Sequence, residues 1–407
     1  MRWGYGSRPF SRNARYFLAA SFLQSLGTGA FNLLFGIILM NSGQSETFLG
    51  YILSLGLLAN GVFSLPAGIL ADIWGKKNVL IIALILTSGG LMGQVLMPVG
   101  RATALFSLLF GMGQGMLAAV TLPLLAENSD SSTQPYLFSV NFSLTTAALV
   151  LGSLCVGKLP GLFSAHWSLV LFSVLPGIAV IFAALMGQND INPTARSRSR
   201  TQIDAREYWR VVKSSRVARD VFVYNFQIGL GAGLVIPFFN IFLSQKLHAS
   251  LDLVGIVMSI SQVGVASAGL LAPLLMHSLG KVKSVVIFQM LSIPLLLMIA
   301  LPQSLGIVIV SFLLRNILMN MNNPISGSFT MEITPLKLRS TVSSLVSMSQ
   351  NLSRALSASI GGWLMGTMGY SSPYFLTALL YLSASLFYWR VFGPHEKESV
   401  QESRIGI

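Results

Sequence analysis

Apolar runs of about 20 residues recur along the chain, separated by short polar stretches that carry nearly all of its charge. Twelve such runs are legible, near 14–41, 46–71, 77–98, 102–126, 133–157, 165–187, 219–245, 250–277, 283–302, 305–328, 338–365 and 373–392. A helix of about 20 apolar residues crosses about 30 Å of hydrocarbon. Backbone polar groups have no partner in lipid, so each span must satisfy its own hydrogen bonds, as a helix does. The pattern predicts an all-α membrane protein with twelve transmembrane helices. The first run follows Arg12 and Arg15 and has no small-residue cleavage site of the A-x-A type at signal-peptide distance, so it is expected to stay as a helix.

Composition agrees, with 53% hydrophobic residues and only 10% charged and a mean hydropathy of +0.70. A net charge of +13 raises the question of nucleic acid, but the distribution of charge answers it. With both termini in the cytoplasm, Arg101, Lys158 and Lys246 fall outside, Arg315 and Arg354 fall within helices, and every other Lys and Arg lies on the cytoplasmic side. That is the positive-inside bias of a multi-pass protein of the cell membrane. The expected partners are membrane lipid and a small-molecule substrate, with no nucleic acid and no cofactor, and the chain is expected to work as a monomer. The lone Cys155 excludes an internal disulfide.

The polar stretch Gln188 to Arg219 separates six runs from six. The expected organisation is an N-terminal half, 1–187, a cytoplasmic linker, 188–218, a C-terminal half, 219–392, and a cytoplasmic tail, 393–407. Within the linker REYWRVV reads as a short interfacial helix or as plain solvated chain. The halves repeat each other: Gly50 and Gly255, Gly75 and Gly280, and Glu127 and Glu332 are all 205 residues apart. Two six-helix halves related by an axis along the membrane normal, with a solute site between them near the midplane, form a known transporter design.

The stretch GILADIWGKKNVL carries Gly68, Asp72, Gly75, Lys76 and Lys77 between the second and third runs. It fits the G-x-x-x-D-x-x-G-[RK]-[RK] loop of the major facilitator superfamily, which the chain resembles over nearly its whole length. The resemblance implies a pseudo-symmetric twelve-helix secondary transporter, not an enzyme, that alternates between inward- and outward-facing states, with this loop as a gate. Ile73 stands where the family usually has arginine, and His277 stands opposite Asp72 in the second half. After the tenth run, Glu332 and Arg339 keep the family's acid-then-base spacing, whereas after the fourth run Glu127 is followed at that spacing by Gln134. Glu332 is expected to cap the next helix or bridge to Arg339. Plain topology signals and ordinary surface pairing are the alternatives for this whole group of residues.

None of the 13 Asp and Glu falls in a helix interior, and the four His lie near ends or outside. Proton-coupled carriers usually titrate such a group within the membrane. The fifth run has GSLCVG without the Gly-Pro of many proton-coupled drug antiporters of that family, and small-residue packing explains its glycines. Two arginines are buried instead. Arg315 lies about eleven residues, or roughly 16 Å, into its run, and Arg354 about sixteen residues into the next. Asn316, Asn320 and Asn323 line one face of the tenth helix, Gln350 precedes Arg354, the seventh run adds Asn225, Gln227 and Asn240, and the first adds Gln24 and Asn32. These polar faces either line a cavity or hydrogen-bond between helices. A guanidinium without a buried acid suits a carboxylate or phosphate, so an anionic or polar solute is favoured. Met- and Phe-rich spans keep multidrug efflux as the runner-up. A membrane enzyme lacks a nucleophile–base or metal grouping in this sequence, and a sensor lacks a long signalling tail.

Overall fold

In a computed structural model of the chain, the described residues are 10–97, 99–129, 133–159, 163–187, 215–301, 304–334 and 339–405. For 65, 72, 135, 269–279, 339–341, 344 and 395–405 only the backbone is described. The described residues are nearly all helical: α1 (Arg12–Asn41), α2 (Glu46–Trp74), α3 (Lys76–Leu96), α4 (Arg101–Glu127), α5 (Gln134–Lys158), α6 (Ala165–Ser173), α7 (Leu175–Leu185), α8 (Arg216–Val235), α9 (Leu251–Leu279), α10 (Lys281–Ala300), α11 (Leu305–Ile333), α12 (Arg339–Met368) and α13 (Ser372–Ile405). Among them eleven spans are long and apolar enough to cross a bilayer, α6 and α7 counting as one and α8 with its continuation as another. The twelfth expected span, α12, is 30 residues long, enough to cross, but it carries Gln350, Asn351, Arg354 and a series of serines that lower its hydropathy.

Proline explains where the structure departs from the apolar runs. The sixth run breaks at Val174, next to Pro176 in the first turn of α7. In the seventh, α8 ends at Val235, and the chain continues as a 3-10 turn (Ile236–Phe238) containing Pro237, a single α-turn (Phe239–Ile241) and a π-turn (Phe242–Lys246). Proline removes an N–H and clashes with the preceding turn, so a regular helix gives way there. The last helix runs past its apolar stretch to Ile405 with Pro394 inside it. The expected linker 188–218, REYWRVV included, lies outside the described residues as far as 214.

Contacts divide the chain into two compact units, Met1–Asn32 with Ala59–Ser199 and Leu33–Leu58 with Arg200–Ile407. In the first unit α3 packs on α4, α6 and α7; in the second α10 packs on α11 and α13, the same order one repeat later. The first core joins Val79, Leu80 and Ala83 to Val120, Leu124, Ala179 and Phe17. The second joins Val282, Val285 and Phe288 to Ile325, Phe329, Val221 and Tyr388. Lipid tails are as apolar as these side chains, so close packing rather than water exclusion holds such helices together. A Cβ on Gly152 of α5 would lie 2.2 Å from the Leu26 carbonyl oxygen of α1, and one on Gly233 of α8 would lie 2.7 Å from the Arg354 carbonyl oxygen of α12. Glycine is what lets these backbones approach.

The second unit also takes the ends of α1 and α2 beside the turn that joins them. Asn240 donates to the Leu33 carbonyl at 2.7 Å, Gln245 donates to Asn41 at 2.9 Å, and the Tyr370 hydroxyl donates to the Glu46 carboxylate. Gly50 of α2 meets Gly362 of α12, where a Cβ on Gly362 would lie 2.8 Å from the Gly50 Cα.

Candidate functional site

The loop motif is built around a glycine in a left-handed conformation. Gly75 has φ +92° and caps α3, and Gly280 has φ +85° and caps α10. A side chain in this region is strained, so both helix pairs turn on glycine. Lys76, the next residue, forms an ion pair with Glu127 at the end of α4. Lys281, 205 residues on, does the same with Glu332 at the end of α11. Each pair ties the turn between two helices to the end of a third, and each carboxylate belongs to the last turn of its helix. Lys77 donates to the carbonyl of Ala184, at 2.8 Å, and to that of Met186, at the C-terminal end of α7, where exposed carbonyls favour a cation.

The two expected partners of this group are not visible at side-chain level. Asp72 lies in the last turn of α2 and Arg339 at the start of α12, and both side chains lie outside the described residues, as does that of His277. The described partner of Glu332 is Lys281. Among the described residues, no atom beyond its chain neighbours and its own helix backbone lies within 4 Å of where a Cβ on Gly68 would be. Lys281 escaped the sequence reading although the 205-residue offset, applied to Lys76, lands on it.

The second unit gathers most of the residues expected in the membrane interior. Arg315 is 2% exposed, and its Nη2 donates to the Tyr381 hydroxyl at 3.0 Å. Its guanidinium carbon lies 5.5 Å from the centroid of the Tyr381 ring, within the range of a cation–π contact. Tyr381 also interacts electrostatically with Arg354, which is half-buried. The Nε of each arginine is buried without a hydrogen-bond partner, and among the described residues neither has an ion-pair partner. The acids that are paired sit at helix ends, such as Asp220 beside Arg216 and Arg219 at the start of α8.

The amides form chains between and along helices. Gln350 donates to Asn225 at 2.9 Å, and Asn225 donates to the Val221 carbonyl at 2.8 Å. Asn316 donates to Ser261 of α9, Asn320 donates to the Asn316 carbonyl at 2.8 Å, and Asn323, at the exposed end, donates to Asn320 at 3.4 Å. Gln227 keeps a buried Oε1 without a partner. Asn240 is buried and bonded on both sides, since its Oδ1 accepts from the Ile241 amide at 3.0 Å. It fastens the irregular end of the seventh span instead of facing open space. In the first unit Gln24 donates to Thr28 at 3.0 Å and accepts from Ser25 at 3.3 Å, and Asn32 is exposed.

The tyrosines beside the arginines also escaped the sequence reading. Tyr374, Tyr381 and Tyr388 recur every seven residues along α13, which puts them on one helix face. That spacing is the signal that would have found them.

Comparison with known proteins agrees with this architecture. The Major Facilitator Superfamily model matches residues 17–226 and 221–406. An uncharacterized MFS-type transporter, YdeE of Escherichia coli K12, is 29% identical over 143 residues, 35% of this chain and 36% of that protein. An uncharacterized transporter of Buchnera aphidicola subsp. Schizaphis graminum is 26% identical over 158 residues, 37% of this chain and 39% of that protein. The chain thus aligns with little more than a third of the length of these two curated relatives. Among solved structures, the nucleoside transporter NupG superposes with a TM-score of 0.79 at 16% identity, covering 93% of this chain and 99% of that one. A D-xylose-proton symporter superposes with a TM-score of 0.68 at 14% identity, covering 93% and 96%. At such identities the likeness is one of fold. The motif, the repeat and the family match over almost the whole length lead to one conclusion: this chain is a multi-pass membrane protein of the Major Facilitator Superfamily.

Proposed function

We propose that the protein is a secondary transporter of the cell membrane that moves a small polar or anionic organic solute by alternating access, as a monomer with both termini in the cytoplasm. The observation that carries this reading is the pair of membrane-embedded arginines, each with an unpartnered Nε and neither with an ion-pair partner among the described residues. A guanidinium in a low-dielectric site favours a carboxylate or phosphate. Of the two, we assign Arg354 to the solute: it is half-buried, and Gln350 stands one turn before it on α12. Arg315, at 2% exposure behind Tyr381, is not offered to a molecule of organic size. Multidrug efflux draws less support, because Phe239 and Phe312 stack on each other and are buried with Phe242, so their surface is already covered. The loop from Gly68 to Lys77, with Glu332 and Arg339, is the proposed cytoplasmic gate.

Uptake and efflux in membrane vesicles, run against a panel of organic anions, neutral polyols and cationic dyes, test this reading. Arg354→Gln should weaken an anionic solute by about 1–3 kcal/mol, the range for a charge-assisted contact, and leave a neutral solute much less affected. Equal loss across the whole panel would make Arg354 a structural residue. Because the Asp and Glu of the sequence lie outside the apolar runs or at their ends, transport should respond weakly to a proton gradient at fixed membrane potential. Accumulation abolished by a protonophore under clamped potential would contradict that.

A further inference from the structure

The side chains around Arg315 are rich in hydrogen-bond donors and poor in acceptors. A guanidinium donates only, and a phenol oxygen that already accepts one bond still has its own proton to place. The Tyr381 oxygen accepts from Arg315 Nη2 at 3.0 Å. The Tyr374 hydroxyl is buried without a partner, as is Arg315 Nε, and this phenol is within electrostatic range of Arg315. Arg315 is 2% exposed and Tyr374 and Tyr381 1% each. A positive charge with no counter-charge is strongly unfavourable in such surroundings, and a cation–π contact with one ring offsets only part of that cost.

We infer that Arg315, Tyr374 and Tyr381 form a buried site for one small inorganic anion of halide size, inside the second unit and separate from the solute. An acceptor that carries a full negative charge matches the donor set in both respects, whereas water would satisfy hydrogen bonds and leave the charge. The surroundings argue for a small ion. The Phe242 ring lies 5.1 Å from that of Tyr374, and Gly231 is so close that a Cβ there would lie 2.5 Å from the Tyr381 ring. The three side chains come from α11 and α13, so the ion would join these two helices by charge in addition to their packing.

The test is thermal unfolding of the purified carrier in detergent, with chloride titrated against gluconate at constant ionic strength and no organic solute present. Chloride and bromide should raise the midpoint saturably, and sulfate should not. Tyr374→Phe keeps the ring and removes one donor, so it should raise the half-saturating chloride concentration at least about tenfold. Arg315→Gln should abolish the response. Identical midpoints in chloride and gluconate throughout would overturn the site, and so would a halide response that both variants leave unaltered. Should Arg315→Gln yield no folded carrier, Tyr374→Phe decides the matter alone, with an unshifted chloride titration counting against the site.

Discussion

The two units share their turns and differ in their interiors. In both, a left-handed glycine is followed by a lysine that pairs with a glutamate at the end of a later helix, Lys76 with Glu127 and Lys281 with Glu332. Inside the membrane the likeness ends. Among the described residues the interior polar groups of the first unit are neutral, Gln24, Gln114 and Asn141 among them, whereas the second unit holds Arg315 and Arg354 with Tyr374 and Tyr381 beside them. The helix-end clamp depends on backbone geometry that both halves must have in order to fold. The interior is free of that constraint, and among the described residues its buried charge lies in the second unit.

The largest expected effect breaks the packing that both units share. Gly152→Ala would set a Cβ 2.2 Å from the Leu26 carbonyl oxygen, a backbone atom that cannot rotate away. At Gly233 the first obstacle is the Ser357 hydroxyl at 2.1 Å, which can turn, and the next is the Arg354 carbonyl oxygen at 2.7 Å. Both alanine variants should be destabilised by about 1–3 kcal/mol, as overpacked sites are. Gly152→Ala should have the lower thermal midpoint, because more backbone must move. The reverse order would mean that the second unit is the more rigid of the two.

Much of this was legible in the sequence, for physical reasons that also set the limits. Twelve apolar runs predict twelve crossings because lipid forbids an unpaired backbone, eleven of them described helices apolar enough to cross, and a repeat offset survives wherever a turn needs glycine. The breaks at Val174 and Val235 were legible only as Pro176 and Pro237, since a hydropathy pattern does not register a lost N–H. The interior was harder to read. A polar residue at a given depth says nothing of which neighbour it meets: the sequence does not show that Asn240 donates to the Leu33 carbonyl and accepts from the Ile241 amide. Arg315 is buried and donates to Tyr381, a neighbour that reads as ordinary apolar filling in the sequence unless its seven-residue spacing is noticed.

A smaller effect is confined to the second unit. The Tyr370 hydroxyl donates to the Glu46 carboxylate; burial, and after it this carboxylate, push the phenol above its ordinary value. The folded state therefore holds the proton more tightly than the unfolded one, and the stabilisation is fully present below about pH 10, the ordinary value for tyrosine, and lost as pH rises through the folded value. Tyr370→Phe should lower stability by about 1 kcal/mol at neutral pH. The gap between wild type and variant should narrow above about pH 10, and a gap that does not change up to pH 11 would show that the stabilisation is not linked to the Tyr370 proton.

The smallest effect concerns the clamp itself, where the two units should behave alike. The side chains of Lys76 and Glu127 are 21% and 30% exposed, and those of Lys281 and Glu332 are 29% and 46% exposed. Partly exposed pairs are worth about 0.2–1 kcal/mol and weaken with salt, so Lys76→Gln and Lys281→Gln should each lower the thermal midpoint slightly, the first more because its pair is the less exposed. Charge reversal sharpens the comparison. Glu127→Lys alone sets two lysines against each other and should be worse than Lys76→Gln, and adding Lys76→Glu should recover most of the loss. The same cycle on Lys281 and Glu332 should recover as well if both pairs act as simple ion pairs. A cycle that recovers in the first unit and not in the second would mean that Glu332 has a further partner in the intact protein, and Arg339, seven residues on at the start of α12, would be the first to substitute.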